Sequence, residues 1–409
     1  METLLVILCS VSVLLSLAAG SYFALLLLTA SVVPRRAIWS SDLFQSFLVL
    51  IPAHDEANNI GDTVQACLAL DYPVHFCRIV VVADNCHDQT SDAARDAGAA
   101  VLSRTEPARP GKGAALQWAL PQLLTEEIDA VVILDADCRP DRQLLRRIND
   151  RLAQGNRVVQ AAVVPTNVDD SPATYLVCLG SVLENYFVSL PKDRLGLPVF
   201  LRGTGMAFAR GVLQANPWHA TSAVEDHEYS LQLLRRGERV RFEAQAVVST
   251  KTPTTNRQLL AQRSRWSVSL AGMLKTSLSL LFAGIRDFRI DLIDAAISKL
   301  LMSRPLVLSQ LAFSVAISVT LHVIFPSNVS SICLATSLSL CGLQFAIIGA
   351  AMFRLGITRR RIQLWAGLPG VAITMMAATL RGLFGYSKGW GGPHARARNG
   401  DEPNSRFAA

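Results

Sequence analysis

The distribution of apolar residues along the chain changes twice, and the changes divide it. Residues 3–34 carry no charged side chain. Residues 4–33 form an apolar run long enough to cross a bilayer. A cleaved signal peptide is the alternative, but Met1-Glu2 supplies no positive n-region and the run is too long. From residue 47 to about 250, short apolar runs alternate with helical spacing. Phe47-Leu48-Val49-Leu50-Ile51-Pro52, Arg78-Ile79-Val80-Val81-Val82-Ala83, Ala100-Val101-Leu102 and Val131-Val132-Ile133-Leu134 predict four strands, and residues 158–164 a further one. Helical spacing covers residues 59–69, 91–99, 113–124 and 224–234. Strands alternating with helices predict an α/β unit with a largely parallel sheet and helices on both faces.

The second change comes after residue 256. Residues 258–282 mix apolar and basic positions, which predicts an amphipathic helix on a membrane surface. Residues 305–353 contain no Asp, Glu, Lys or Arg. That stretch suits two spans turned at Pro326-Ser327-Asn328. Residues 362–380 give a third candidate, broken by Pro369-Gly370, with a re-entrant or surface segment as its alternative. The predicted organisation is a transmembrane helix over 1–36, a cytoplasmic α/β domain over 44–256, and interfacial helices over 257–300. Two to three transmembrane helices follow over 301–386, then a disordered tail over 387–409.

Composition supports the membrane reading. Of 409 residues, 51% are hydrophobic and only 17% charged, too apolar for an ordinary soluble protein. The net charge of +7 sits largely beside apolar stretches, at Arg35-Arg36, Arg354 and Arg359-Arg360-Arg361. Basic residues in those places orient a membrane protein, so no nucleic-acid partner is expected. With Arg35-Arg36 inside, the α/β domain lies in the cytoplasm. The eight cysteines form no Cys-x-x-Cys pair and do not cluster with histidines, so a zinc site is not expected and the thiols read as small apolar side chains.

Three predicted strands deliver carboxylates at their ends: Asp55 and Glu56, then Asp84 with Asn85, then Asp135 and Asp137. In a parallel sheet these ends share one edge, where α/β folds bind ligands. Asp135-Ala136-Asp137 suits a hard divalent cation that also holds a phosphate, although the same residues also suit a surface turn. Pro110-Gly111-Lys112-Gly113 precedes a helix and offers glycine, a positive charge and backbone N–H groups to an anion, with a plain loop as the alternative. It is not a Gly-x-x-x-x-Gly-Lys-Ser/Thr loop, which disfavours a nucleoside triphosphatase.

The later half adds Arg202-Gly203-Thr204-Gly205, then Val224-Glu225-Asp226-His227-Glu228, then Gln262-Arg263-Ser264-Arg265-Trp266. Taken in order with Ile51-Pro52-Ala53-His54-Asp55-Glu56, Ala83-Asp84-Asn85 and Asp135-Ala136-Asp137, these resemble the processive, membrane-bound family 2 glycosyltransferases. That group includes cellulose, chitin-oligosaccharide, hyaluronan and poly-N-acetylglucosamine synthases. The resemblance covers roughly residues 47–270. It implies a GT-A nucleotide-sugar-binding domain with flanking transmembrane helices, a UDP-linked donor and a divalent cation, Mg2+ or Mn2+. By position, Glu56 and Asp84 contact the nucleoside and Lys112 lies near the donor. Asp135 and Asp137 form the metal and diphosphate pair, with Asp137 the direct ligand. Asp226 matches the general base; as an alternative it caps a helix. Gln262, Arg265 and Trp266 match the acceptor and diphosphate motif, with a membrane anchor as the other reading of Trp266. His54 and His227 read as hydrogen-bonding supports, and Thr166 and Asn167 as cleft-lining residues.

The leading expectation is an inverting, metal-dependent transferase of the inner membrane that extends a polysaccharide. Single transfer to a lipid or lipid-linked acceptor is the second. A non-catalytic, nucleotide- or sugar-binding membrane regulator is the third. Export or accessory membrane proteins are candidate partners. The polar residues Ser309, Gln310, Ser318, Thr320 and Gln344 read as helix-packing groups or as the lining of a sugar path.

Overall fold

The structure is a computed structural model that describes residues 2–33, 42–125, 127–222, 224–266, 270–301 and 304–383. Arg35-Arg36 and the tail over 387–409 lie outside the described residues. The chain forms two units. One is built from residues 42–168 and 199–266. The other is built from residues 2–33, 169–198, 270–301 and 304–383.

The first unit holds an eight-stranded sheet. Its strands are β1 (Phe47–Ala53), β2 (Cys77–Asp84), β3 (Ala100–Arg104), β4 (Ala130–Ile133), β5 (Arg139–Pro140), β6 (Val158–Pro165), β7 (Met206–Ala209) and β8 (Val240–Thr250). Their order is β3-β2-β1-β4-β7-β6-β8-β5. The four strands expected from apolar runs are parallel neighbours: β1 pairs with β2 and β4, and β2 pairs with β3. Every residue of β1 is buried, as a central strand covered on both faces requires.

The sheet is mixed rather than largely parallel. β7 lies antiparallel between β4 and β6, and β5 runs antiparallel to β8. The reason is local. β7 is only four residues long and follows glycines, so its apolar run is too short to read as a strand. Its reversal has a consequence for the site. Met206 at the start of β7 pairs with Ile133 at the end of β4. The loop before β7 is therefore brought to the edge where β4 delivers Asp135 and Asp137.

Helices Ile60–Leu68, Thr90–Asp96, Lys112–Leu123, Leu144–Ala153 and Glu225–Arg235 belong to this unit. Helix Leu144–Ala153 shows why they fold. Leu144, Leu145, Ile148 and Leu152 recur at helical spacing and are all buried in the main core, each worth about 1.5–3 kcal/mol of burial. Arg151 on the same helix is buried too. It donates to Glu243 Oε2 at 2.6 Å and to the Phe242 carbonyl at 2.8 Å, which satisfies a charge that would otherwise be costly inside.

Four helices among the described residues are long and apolar enough to span a bilayer: Glu2–Val32, Pro172–Arg194, Arg304–Ile324 and Asn328–Leu355. All belong to the second unit. Pro172–Arg194 falls inside the stretch that the sequence reading gives to the α/β domain, and its charges Glu184, Lys192, Asp193 and Arg194 hide it from an apolar count. The structure pairs Glu184 with Arg304 at 3.3 Å and partners Lys192 more closely. Lys192 Nζ donates to Asp294 Oδ2 at 2.8 Å and to Ser298 Oγ at 2.6 Å, while Tyr22 donates to Asp294 Oδ1 at 2.8 Å. Asp294 and Ser298 lie on helix Ile290–Leu301, so three helices of the unit share one polar cluster, and buried charges persist only when partnered.

The third C-terminal candidate is a helix over Leu368–Leu383, preceded by a short helix Arg359–Leu364 and a tight turn Trp365–Gly367. It has 16 residues and is not among the four. Helix Leu270–Arg286 carries Leu274, Leu278, Phe282 and Ile285 exposed along one side, a spacing of about one turn each.

Candidate active site

Two carboxyl strand ends turn sharply just where the polar residues begin. Asp55 after β1 and Asn85 after β2 both adopt left-handed backbone, with φ of 53° and 51°. Only Asn, Asp and Gly visit this region readily, so residue choice and turn agree.

Asp84 ends β2 fully buried. It sits directly across from Arg104, the last residue of β3, and Arg104 Nη1 donates to Asp84 Oδ1. Asn85 Nδ2 donates to the same oxygen at 3.1 Å, and the Gly111 N–H reaches Asp84 Oδ2 at 3.4 Å. Arg104 also donates to Glu106 Oε2 at 2.6 Å. Asp84 therefore ties the loop before Lys112 to the β2 end. Sequence reasoning missed Arg104. Its signal was the need of a buried carboxylate for a cation on the neighbouring strand.

Glu56 is buried, and burial pushes its carboxyl up to about 7 against a hydrogen bond from Asn59. The nearby charges of Asp137 and Asp135 push the same way. His54 bonds through Nδ1 to the Asp84 carbonyl at 2.7 Å. The second expected support, His227, packs its ring 5.4 Å from that of Phe200.

The centre of the site is Gly203, in the loop before β7. Its φ is +79°, and a Cβ there would lie 3.6 Å from Asp226 Oδ2, 3.8 Å from Lys112 Nζ and 3.9 Å from Asp135 Oδ2. Three residues from three distant stretches thus converge on one backbone position with no side chain. Lys112 donates to Asp135 Oδ1 and to the Gly203 carbonyl at 2.5 Å. The Asp135 N–H donates to Thr204 Oγ1 at 3.0 Å. The sequence reading noted the glycine-rich stretch but gave Gly203 no role, because its place depends on the reversed direction of β7.

Helix Glu225–Arg235 carries Asp226 in its first turn, where Asp226 Oδ1 accepts the His227 N–H at 2.8 Å. Burial raises its carboxyl to about 6, with the His227 N–H and then Lys112 pulling the other way. Glu225 beside it is raised as well, first by burial. Burial opposes the Lys112 ammonium, but Asp135, Glu225 and Asp226 together outweigh it and hold it above its ordinary value. Lys112 is thus a fixed positive charge, and Asp226 is a carboxylate that is ionised at neutral pH but easily protonated.

Asp135 and Asp137 lie together with Cys138, and their donor atoms fall within 4.8 Å of one another. Burial pushes the Cys138 thiol well above its ordinary range, so it stays protonated and the donors are carboxylate oxygens. Oxygen donors of this kind fit a hard divalent cation. Lys112 takes Asp135 Oδ1, while Asp135 Oδ2 faces the Gly203 position.

Gln262 is half-buried on helix Asn256–Trp266. The side chains of Arg265 and Trp266 lie outside the described residues. Arg263 is drawn down to about 10 by burial and by the like charge of Arg202. Two guanidiniums, one of them adjoining Gly203 in sequence, add positive potential that an anion would relieve. Asn167 is tied to Thr252, accepting its N–H at 2.9 Å and donating to its carbonyl at 2.9 Å. Thr166 Oγ1 donates to the Thr250 carbonyl at 3.3 Å.

Residues 45–269, more than half of the chain, match the family described as Glycosyltransferase like family 2. The chain is 26% identical over 231 residues to "Probable glycosyltransferase YdaM" of Bacillus subtilis, covering 54% of each protein. It is 28% identical over 228 residues to "Beta-monoglucosyldiacylglycerol synthase" of Synechocystis sp., covering 54% of this chain and 46% of that protein. The chain therefore spans about half the length of these curated relatives. Among solved structures, a mannosyltransferase from Pyrobaculum calidifontis in complex with GDP-Man and Mn2+ superposes with a TM-score of 0.59 at 19% identity, covering 94% of this chain and 99% of that one. The fold is the α/β GT-A fold with a mixed sheet. The chain belongs to glycosyltransferase like family 2.

Proposed function

We propose that the protein transfers a sugar, with inversion at the anomeric carbon, from a nucleotide-sugar donor to an acceptor hydroxyl at the inner membrane. The convergence of Asp226, Lys112 and Asp135 on the Gly203 position carries this reading. Asp226 takes the acceptor proton as general base. Burial raises its carboxyl value to about 6, which makes it more basic while still leaving it largely ionised at neutral pH. Glu56 and Asp84 flank the nucleoside, Asp84 acting through Arg104 and the Gly111 N–H. Asp135 and Asp137 hold a divalent cation, Mg2+ or Mn2+, with Asp137 the direct ligand. When bound, that ion neutralises charge that develops on the leaving diphosphate. Lys112 supplies fixed positive charge at the same place, and Arg202, Arg263 and Arg265 add to it. Gln262 and Trp266 contact the acceptor.

The four apolar helices support a multi-pass protein, with the exposed stripe Leu274, Leu278, Phe282 and Ile285 lying on the bilayer surface. The α/β unit faces the cytoplasm, where nucleotide sugars are made. Gln262-x-x-Arg265-Trp266 favours a growing polysaccharide as acceptor. The lipid-acting relative from Synechocystis favours a second reading, single transfer to a lipid. One assay separates them. Membranes containing the protein are given a panel of radiolabelled nucleotide sugars, UDP-linked donors first, and the product is extracted and sized. Label in long polymer supports the first reading, and label in one organic-soluble glycolipid supports the second. Absence of transfer from every donor refutes both.

A further inference from the structure

Thr63 breaks the pattern of the helix that carries it. Helix Ile60–Leu68 follows β1, and Ile60, Val64 and Cys67 on its buried side belong to the main core. Thr63 lies on the same side and is 1% exposed. A hydroxyl among apolar side chains must find a partner. The sequence reading gave Thr63 no role.

A helical threonine ordinarily turns its hydroxyl back to the carbonyl four residues earlier. That carbonyl, of Asn59, lies 3.3 Å from Thr63 Oγ1. The Ala136 carbonyl lies at 2.7 Å. A hydroxyl has one hydrogen to give, and the shorter contact takes it. Thr63 thus reaches across 73 positions of sequence to the residue between Asp135 and Asp137.

The place it reaches is a tight turn. Ala136 and Asp137 form its centre, and the Cys138 N–H closes it on the Asp135 carbonyl at 3.3 Å. Asp135 is held from other directions, its N–H by Thr204 Oγ1 and its side chain by Lys112. Ala136 is buried, so its carbonyl must find a donor inside the protein. The peptide joining Ala136 to Asp137 is planar. Fixing its carbonyl fixes that plane, and with it the direction in which the Asp137 side chain leaves the backbone. Asp62 and Arg139 pair across the same two segments, but their side chains are 67% and 62% exposed, and such pairs add little.

We propose that Thr63 is a positioning residue for the cation site, its hydroxyl setting the turn so that Asp135 and Asp137 face one ion. The proposal rests on the reading of Asp135 and Asp137 as metal carboxylates. The helix that carries Thr63 is itself anchored. The Glu56 carbonyl accepts the Asn59 and Ile60 N–H groups at 2.9 Å each, and Glu56 Oε2 accepts Asn59 Nδ2 at 2.7 Å. One short helix therefore holds Glu56 at its start and, a turn later, the backbone of the metal pair. Without the Thr63 hydroxyl, the Ala136 carbonyl is left buried without its donor, and the peptide rotates to recover one, carrying Asp137 with it. Groups that orient metal ligands change affinity by about 10- to 100-fold when removed.

The test uses the full chain in detergent, titrated with Mn2+ alone and read by the electron paramagnetic resonance signal of the free ion, with thermal melting alongside. The wild type should bind, and Asp137→Ala should not. Thr63→Val, which keeps the shape without the hydroxyl, and Thr63→Ala should each weaken Mn2+ binding about tenfold or more, while Thr63→Ser should keep wild-type affinity. Tyr72→Phe is the control. It deletes another buried hydroxyl that donates to a carbonyl, that of Gln45 at 2.8 Å just before β1. It should melt lower and bind Mn2+ as the wild type does. Wild-type affinity in folded Thr63→Val or Thr63→Ala overturns the proposal and leaves the metal reading intact. So does Thr63→Ser binding as weakly as Thr63→Val, and so does an equal loss in Tyr72→Phe. A wild type that binds no Mn2+, or binding that survives Asp137→Ala, refutes the metal reading itself and the role of Thr63 with it.

Discussion

Alanine at Gly203 isolates the chemistry from the fold. The added Cβ would sit 3.6 Å from Asp226 Oδ2, 3.8 Å from Lys112 Nζ and 3.9 Å from Asp135 Oδ2. These are ordinary contact distances, so no atom must move. The backbone there has φ of +79°, which costs a non-glycine residue about 1–2 kcal/mol. The expected loss of stability is no more than that, a melting shift of a few degrees for a protein of this size. The effect on turnover should be far larger. The methyl group fills the space between base, ammonium and metal carboxylate, where donor and acceptor must meet. A misplacement of about 1 Å in such geometry costs about 100-fold, or about 2.7 kcal/mol of barrier. Gly205→Ala is the control. Its Cβ would lie 2.9 Å from Ala161 Cβ and 3.0 Å from Val248 Cγ2, at φ of +66°. Overpacking there costs about 1–3 kcal/mol beyond the backbone strain, and it touches no reacting group. Melting curves and kcat/KM measured on both variants decide the matter. If Gly203→Ala keeps wild-type turnover, or loses activity only as its folded fraction falls, Gly203 is not the centre of the site.

Asp226→Asn should lower turnover by about 10²- to 10⁴-fold, and wild-type kcat/KM should rise with pH through about 6 as Asp226 loses its proton. Stability should move the other way. The folded carboxyl value lies above the unfolded one, so the native state binds more protons and loses stability as pH rises from about 4 to about 6; Asp226→Asn should therefore melt higher than wild type at pH 7 in a thermal scan. Chelation should abolish transfer, with Mn2+ or Mg2+ restoring it in the wild type and failing to do so in Asp137→Ala; full transfer by chelated enzyme would remove the metal role of Asp135 and Asp137. Arg151→Ala leaves Glu243 buried without its cation, and a denaturant titration should show a loss of about 3–5 kcal/mol.

Sequence carried the parallel half of the sheet because each of those strands is a continuous apolar run covered on both faces, and the carboxylates after β1, β2 and β4 were legible for the same reason. It did not carry β7. Four residues after glycines have no local preference strong enough to declare a strand, and only pairing with β4 and β6 fixes its direction. That one non-local fact decides the site. Had β7 run parallel to β4, Gly203 would lie at the far edge of the sheet, away from Asp135. Instead the loop returns to the carboxyl edge, and Lys112 closes on both Asp135 and the Gly203 carbonyl. Helix Pro172–Arg194 escaped for the opposite reason. Its charged residues read as soluble, yet Lys192 finds Asp294 from a helix about a hundred positions later in sequence. In both places the missing information is a partner, not a propensity. A buried charge or a bare glycine in an otherwise regular stretch is the local trace that such a partner leaves.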